Sequence, residues 1–160
     1  MSIGSGLCIE YLADRADLVD ALAAFHFREW GFLRPSETLS ERTQRLRLCC
    51  GRGGLPTAVV ATVEGLLCGS AMLVANDMDL PAERTPWLAG VYVVPQRRRC
   101  GLGAALIHRI EQEASAAGFS TLYLYTPSTA AMYARLGWAL LERREYLGAD
   151  VSVMSKQLVG

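Results

Sequence analysis

Residues 91–104 read VYVVPQRRRCGLGA, and this stretch decides how the rest of the chain is interpreted. An apolar run ends at Pro95, three arginines follow, and glycines at positions 101 and 103 open a segment with helical periodicity. The start of a helix carries unbonded N–H groups and a partial positive charge, both of which favour phosphate. Glycines let an anion approach the backbone, and guanidinium groups suit phosphate oxygens. The stretch predicts a phosphate-binding turn between a strand and a helix.

Two common nucleotide-binding motifs do not fit this turn. A P-loop requires GxxxxGK[ST], but Lys156 is the only lysine in the chain. A dinucleotide fingerprint needs a small residue where Leu106 stands, and it would lie near the first strand of its domain. Both interpretations are excluded.

The hydrophobic pattern on either side of the turn predicts a single α/β domain over residues 1–160. Asp14 is expected to cap the first helix, and Glu64-Gly65 to form a tight hairpin. The element order is β-α-α-β-β-β-α-β-α-β-β, with helices on both sides of the sheet. Predicted strands cover residues 7–12, 57–63, 66–74, 87–94, 121–126, 138–146 and 151–158, and predicted helices 14–29, 36 or 38 to 48, 101–117 and 127 or 128 to 136.

The composition limits the classes of partner. Sixteen basic and sixteen acidic side chains balance, so no overall field favours nucleic acid or an anionic membrane. Arginine almost replaces lysine, which is typical of a GC-rich bacterial genome. Five scattered cysteines lack metal-binding spacing and are expected to be reduced thiols. Residues 1–6 do not resemble a secretory signal, and no apolar run is long enough to span a bilayer. A cytoplasmic protein without a metal is expected.

Two blocks of the sequence resemble the GNAT superfamily of N-acyltransferases. Residues 98–103, RRCGLG, match that family's pyrophosphate pattern [Q/R]xxGx[G/A]. Residues 122–126, LYLYT, followed by 131–138, AMYARLGW, are similar to its strand followed by Yxx-[L]-G-[aromatic]. The predicted element order agrees with the family over nearly the whole chain. The resemblance implies a mixed, mostly antiparallel central sheet flanked by helices.

The resemblance also implies acetyl-coenzyme A as the co-substrate. The pantetheine arm would lie against the strand at 91–93, the pyrophosphate would bind the following loop, and the thioester would sit between the strands ending at Val94 and Thr126. The cofactor-binding residues implied are Val91, Tyr92, Val93, Arg98, Arg99, Cys100, Gly101, Leu102, Gly103, Ala104 and Thr126.

Tyr133 occupies the position where this family commonly has a tyrosine that protonates the coenzyme A sulfur, so the resemblance implies a general acid there. An ammonium must lose a proton before it can attack. The sequence does not select the general base that removes this proton. The candidates are Glu29, Asp79, Glu83, His26 and a water chain. In this family the acceptor site is usually lined by the bend after the first helix and by the closing strands. The resemblance therefore implies that the acceptor site is lined by Glu29, Trp30, Phe32 and Tyr146.

The predicted function is transfer of an acetyl group from acetyl-coenzyme A to a primary amine, by direct attack in a ternary complex. The acceptor is left open among a small molecule, an amino acid and a peptide terminus. Arg42, Arg45 and Arg47 on the second helix hint at an anionic partner or acceptor. A non-catalytic acyl-coenzyme A sensor and a plain interaction module are the alternatives. Many such domains pair through their terminal strands, so both a monomer and a homodimer stay open.

Overall fold

The computed structural model of the chain describes residues 6–78 and 84–158, whose centre is a seven-stranded sheet. The strand order is β1-β2-β3-β4-β5-β7-β6, and every neighbouring pair is antiparallel except β4 and β5. The predicted mixed, mostly antiparallel sheet is therefore confirmed. The strands are β1 (Leu7–Tyr11), β2 (Thr57–Val63), β3 (Leu66–Val74), β4 (Trp87–Val93), β5 (Thr121–Thr126), β6 (Ala139–Tyr146) and β7 (Ala149–Gln157).

Helices cover both faces of the sheet, as the pattern predicts. They are α1 (Val19–Trp30), α2 (Leu39–Arg47), α3 (Leu102–Ala116) and α4 (Ala130–Arg135), with 3-10 turns at Leu12–Leu18, Gly31–Leu33 and Pro95–Arg97. β2 is buried along its whole length. Val59 belongs to the cluster that contains Leu106 and Ile110 of α3, whereas Val60 belongs to the cluster that contains Leu22 of α1. The sheet thus lies between two helical layers.

The first helix begins later than predicted. Residues 12–18 form a 3-10 turn in which Arg15 has non-helical angles, φ −134° and ψ 51°. Asp14, the predicted cap, instead forms an ion pair with Arg52 at 2.7 Å. α1 begins after Leu18 without a side-chain cap. The prediction of a continuous helix from residue 14 was wrong, because the sequence periodicity of this segment does not reveal the kink at Arg15.

Two local predictions hold. Thr38 caps α2 by accepting a hydrogen bond from the Glu41 N–H at 3.1 Å, and the Glu41 carboxylate accepts one from the Thr38 N–H at 3.0 Å. This capping box satisfies donors that the first turn of a helix leaves free. Glu64 and Gly65 join β2 to β3 with φ of 52° and 81°, the left-handed angles of a tight hairpin turn.

Candidate active site

The sheet opens at its one parallel pair. β4 and β5 share a single ladder position, Trp87 opposite Tyr123, and beyond it a cavity of about 240 Å³ lies between them. The far side of the cavity is closed by α1, α2 and the segments that flank them. Its lining residues are His26, Glu29, Trp30, Leu33, Arg34, Arg42, Arg45, Met72, Asp77, Leu88, Ala89, Gly90, Val91, Leu124, Tyr125, Thr126, Pro127, Ser128, Thr129 and Tyr133.

A bulge in β4 forms part of this wall. Ser70 of β3 pairs with Tyr92 and Met72 pairs with Ala89, so β4 has one residue more than β3 between these positions. Gly90 lies in the bulge with φ 59°, and a Cβ there would approach the Met72 sulfur to 2.6 Å. Glycine is favoured here chiefly by its left-handed backbone angle, and any side chain would also have to displace the Met72 sulfur.

A buried polar chain holds the bulge in place. Ser70 Oγ donates to the Gly90 carbonyl at 2.7 Å and lies 2.8 Å from His26 Nε2. Because the single hydroxyl proton goes to Gly90, Nε2 must be the donor to Ser70, and the other imidazole nitrogen carries a lone pair. Burial, aided by Arg42 and Arg45, lowers the pKa of His26 to about 3. The neutral ring is a weak proton acceptor at neutral pH.

The turn predicted to bind phosphate joins β4 to α3, as the sequence pattern indicates. After β4, Arg99 and Gly101 take left-handed φ values of 64° and 87°, and α3 begins with Gly101 as an N-cap that makes no side-chain hydrogen bond. The first bond within the helix runs from Ala105 N–H to Gly101 O at 3.1 Å. The N–H groups of Leu102, Gly103 and Ala104 precede that bond and form the free N-terminal end.

Gly103 tests whether this end of α3 fits a diphosphate. A Cβ at position 103 would meet only Val93 Cγ2, at 3.8 Å, so neither packing nor a left-handed angle demands glycine here. The missing side chain leaves open space beside the free N–H groups. The residues present therefore fit a group that approaches the backbone closely, as the pyrophosphate of coenzyme A would.

The residues predicted to bind the cofactor differ in where the structure places them. Leu102 is buried in the core, so only its backbone faces the turn. Cys100 is half-buried and donates its thiol hydrogen to Arg97 O at 2.6 Å. Arg98 folds back on the sheet, where Nε donates to Val93 O at 2.8 Å and Nη2 lies 3.6 Å from Glu29 Oε1. Arg99 is exposed beside the turn.

β4 offers its backbone to the opening. Val91 lines the cavity, and Val93 is half-buried at the end of the strand. The Tyr92 side chain points elsewhere and packs on Phe25 and Trp30, with ring centroids 5.5 and 6.1 Å away. Beyond the single ladder position, the β5-facing edge of this strand borders the cavity instead of another strand.

Tyr133 and Thr126 both line the opposite wall. The Tyr133 ring is 6 % exposed and packs edge-on against Trp138 at 5.9 Å. Burial raises the pKa of the Tyr133 phenol above its usual value, so the phenol is protonated at neutral pH with or without this shift. Among the described residues its hydroxyl has no hydrogen-bond partner. Thr126 Oγ1 accepts the N–H of Thr129 at 3.0 Å and so caps the turn into α4.

The predicted acceptor residues divide into two groups. Glu29 and Trp30 line the cavity, whereas Phe32 is 65 % exposed and does not. Tyr146 packs on Tyr125 with ring centroids 5.3 Å apart, and of these two only Tyr125 lines the cavity. Asp79 and Glu83, which the sequence also offers as bases, lie outside the described residues.

Sequence reasoning missed three residues of this site. Arg34 follows the 3-10 turn after α1, Asp77 follows β3, and Ser70 lies inside β3. Burial raises the pKa of Asp77 to about 7, against the opposing effect of nearby arginines. A polar residue inside an otherwise apolar strand was the available signal for Ser70. No local signal joins Arg34 to Asp77, because their proximity arises only from the fold.

Comparisons with known proteins agree with this geometry. A model of the acetyltransferase (GNAT) family matches residues 17–138. No curated protein sequence matches the chain. In residues 6–78 and 84–158, no helix is long and apolar enough to cross a membrane, and no group of three His, Cys, Asp or Glu side chains could hold a metal ion.

Solved structures share the fold over nearly full length at low identity. An aminoglycoside 6'-N-acetyltransferase complexed with coenzyme A has a TM-score of 0.75 and 18 % identity, over 96 % of this chain and 98 % of that one. The aminoglycoside 6'-N-acetyltransferase from Enterococcus faecium gives 0.73 and 17 %, with coverage of 96 % and 98 %. yncA from Salmonella typhimurium, solved with its cofactor acetyl-CoA, gives 0.70 and 20 %, with coverage of 97 % and 95 %.

Proposed function

The chain belongs to the GNAT family of acetyltransferases, and from that premise we propose that it acetylates a small primary amine with acetyl-CoA. The observation that carries the proposal is the cavity between β4 and β5, which has Tyr133 on one wall, while β4 itself leads into the free N–H groups at the start of α3. The likeness to solved structures that hold coenzyme A or acetyl-CoA supports the choice of co-substrate.

The chain's own groups fit the parts of that co-substrate. The N–H groups of residues 102–104 and the space beside Gly103 would hold the pyrophosphate, with Arg99 free to add a guanidinium. The open edge of β4 would take the pantetheine arm. When bound, acetyl-CoA supplies an acyl group activated as a thioester, whose transfer to an amine releases a thiol.

Tyr133 is proposed as the acid that protonates the departing sulfur. Its side chain lines the cavity, and the phenol carries the proton that a general acid must donate. Asp77, which lines the cavity with a pKa of about 7, and solvent are the proposed acceptors of the proton from the incoming ammonium, because burial leaves His26 a poor base and Glu29 is paired with Arg98. Positioning of the neutral amine beside the thioester would supply much of the acceleration.

Two observations bear on the reaction type and on the acceptor. No cysteine of the described residues lines the cavity, which supports direct attack by the amine over a covalent intermediate on a thiol. The volume of about 240 Å³ lies below the roughly 300–1,000 Å³ of sites for drug-sized ligands. A small amine, such as an amino acid or a peptide terminus, fits this space better than a multi-ring one.

The test combines binding with turnover. Calorimetry measures binding of coenzyme A, and mass spectrometry of the acetylated product measures turnover over a panel of alkylamines, amino acids and amino-terminal peptides. Product detection is preferable to a thiol reagent, because the protein's own five cysteines are free. Controls contain acetyl-CoA without amine and amine without enzyme. Initial velocities should give intersecting lines, since parallel lines would indicate a covalent intermediate.

Each outcome bears on the proposal differently. Binding with an acetylated product supports it. Binding without product across the whole panel favours a non-catalytic acyl-CoA sensor. No heat from coenzyme A or acetyl-CoA at millimolar concentration would refute the proposal and leave only the fold.

A further inference from the structure

Three guanidinium groups line one side of the cavity. Arg34 follows the turn after α1, and Arg42 and Arg45 lie one helical turn apart on α2. The opposite walls carry Tyr133 and the end of β5. The arginines therefore face the same space in which the proposed transfer takes place.

Arg34, Arg42 and Arg45 form an arginine cluster, and a single carboxylate makes ion pairs with its members. Glu37 forms an ion pair with Arg42 at 2.9 Å and a second one with Arg45. The side chains of Arg42 and Glu37 are each only 12 % exposed. Among the described residues, the Arg34 side chain has no hydrogen bond and no ion pair. Arg34 is exposed at the rim, so its guanidinium is free to contact a ligand.

The positive charge of the cluster exceeds the negative charge around it. Burial and the like charges of Arg45 and Arg34 lower the pKa of Arg42 in spite of Glu37. Asp77 also lines the cavity, but burial raises its pKa to about 7, so much of it is uncharged at neutral pH. Glu29 also lines the cavity, but Arg98 balances its charge at 3.6 Å. The three arginines therefore keep at least one unbalanced positive charge, and an anion in the cavity would relieve the repulsion between them.

We propose that the acceptor amine carries a carboxylate, and that Arg34, with Arg42 and Arg45, binds this carboxylate while the amine faces Tyr133. The inference rests on the proposed N-acetyltransferase function and narrows its substrate class. Guanidinium groups match carboxylates with paired donors, and a single anionic group suits the charge excess. A polycationic acceptor would meet repulsion at the same surface.

The phosphates of the cofactor are the competing explanation for this charge. The turn at residues 98–104 does not line the cavity, and its guanidinium and N–H groups form a separate site. An arginine that served the cofactor would change coenzyme A affinity when replaced. An arginine that served the acceptor would leave that affinity unchanged.

The experiment compares acids with their neutral amides. L-alanine, β-alanine, 4-aminobutyrate and L-glutamate are each tested beside the corresponding amide, with kanamycin as a polycation. At least one acid should exceed its amide by about tenfold or more in kcat/KM, equivalent to about 1.4 kcal/mol. Arg34→Gln should abolish that preference, and Arg34→Lys should restore part of it, without a change in the Kd of coenzyme A. Because Arg34 is exposed, these variants are expected to fold.

Arg47→Gln is the matched control, because Arg47 lies on α2, pairs with Asp20 at 3.2 Å and does not line the cavity. It should keep the preference for acids. Equal or better turnover of amides or kanamycin would overturn the inference, and so would a loss of coenzyme A affinity in Arg34→Gln. If no amine is acetylated, the proposed function fails. The carboxylate site is then tested by calorimetry of 4-aminobutyrate against its amide on the coenzyme A complex, where the absence of carboxylate-dependent heat refutes the site.

Discussion

Ser70 Oγ lies 2.7 Å from the carbonyl oxygen of Gly90 and donates a hydrogen bond across the bulge in β4. Ser70→Ala would leave this carbonyl without its donor and the His26 Nε2–H without its acceptor. We expect a loss of about 1–3 kcal/mol in the free energy of unfolding, together with a lower kcat/KM because the bulge lines the cavity. Denaturant unfolding and steady-state kinetics measure the two effects.

The control for that variant is Ser155→Ala, on β7. The Ser155 side chain forms no hydrogen bond with the described residues, so its loss should change stability by no more than about 0.5 kcal/mol. If Ser70→Ala also changes the free energy of unfolding by no more than this, the polar chain from His26 to Gly90 does not support the bulge.

Gly103→Val tests the cofactor turn without testing the fold. A Cβ at position 103 would lie 3.8 Å from Val93 Cγ2, an ordinary contact, and the melting temperature of the variant checks that its fold is kept. Its branched side chain would fill the space beside the free N–H groups of α3. We expect the Kd of coenzyme A, measured by calorimetry, to rise by about tenfold or more.

Gly103→Ala is the matched control, since a single methyl group is the smallest side chain and alanine favours a helix more than glycine does. It should keep most of the affinity. Unchanged coenzyme A binding in Gly103→Val would show that the cofactor does not approach this end of α3.

Tyr133→Phe removes one hydroxyl and keeps the ring against Trp138. If Tyr133 is the acid, kcat should fall by about a hundredfold, at the low end of general acid catalysis. The Kd of coenzyme A and the melting temperature should stay close to the wild-type values, because the hydroxyl has no hydrogen-bond partner among the described residues. Full activity in this variant would refute the assignment.

Local patterns in the sequence predict much of the fold and one half of the site. The four-residue spacing of Leu102, Leu106 and Ile110 predicts α3, and all three side chains are buried. The glycine at 101 predicts the turn, where its φ of 87° is observed. These features depend on neighbours within a few residues, which is why sequence reasoning finds them.

The other half of the site depends on long-range contacts. The bulge at Gly90 is held by Ser70, twenty residues away, and by His26 from another layer. The charge of the cavity depends on Arg34 and Asp77, which lie on different connections between elements. Neither the altered pKa of Asp77 nor the position of Arg34 beside Arg42 and Arg45 follows from local spacing, because both depend on how distant segments of the chain pack together.

The pH dependence of stability offers a test of the environment of Asp77. Its folded pKa of about 7 exceeds the value of roughly 3.9 expected in the unfolded chain. The folded state therefore binds more protons between these values, and the Asp77 contribution falls as pH rises through this window. Asp77→Asn removes the effect. The variant should match the wild type near pH 4 and exceed it at pH 8.5 by about 4 kcal/mol, at about 1.4 kcal/mol per pKa unit, or roughly 8–16 °C in Tm.

Comparison of variant and wild type at each pH isolates this carboxyl from His26, whose lowered pKa acts in the opposite direction. With a folded value of about 3, His26 contributes stability above pH 6.5 that is lost as the pH falls toward 3, in both proteins alike. Asp20→Asn is the control, since this carboxylate is 79 % exposed and has little burial cost to relieve. A stability difference between Asp77→Asn and wild type that stays constant from pH 4 to 8.5 would mean that water reaches Asp77 freely. The charge excess assigned to the arginine cluster would then shrink, because Asp77 would be ionised at neutral pH and would balance one more guanidinium.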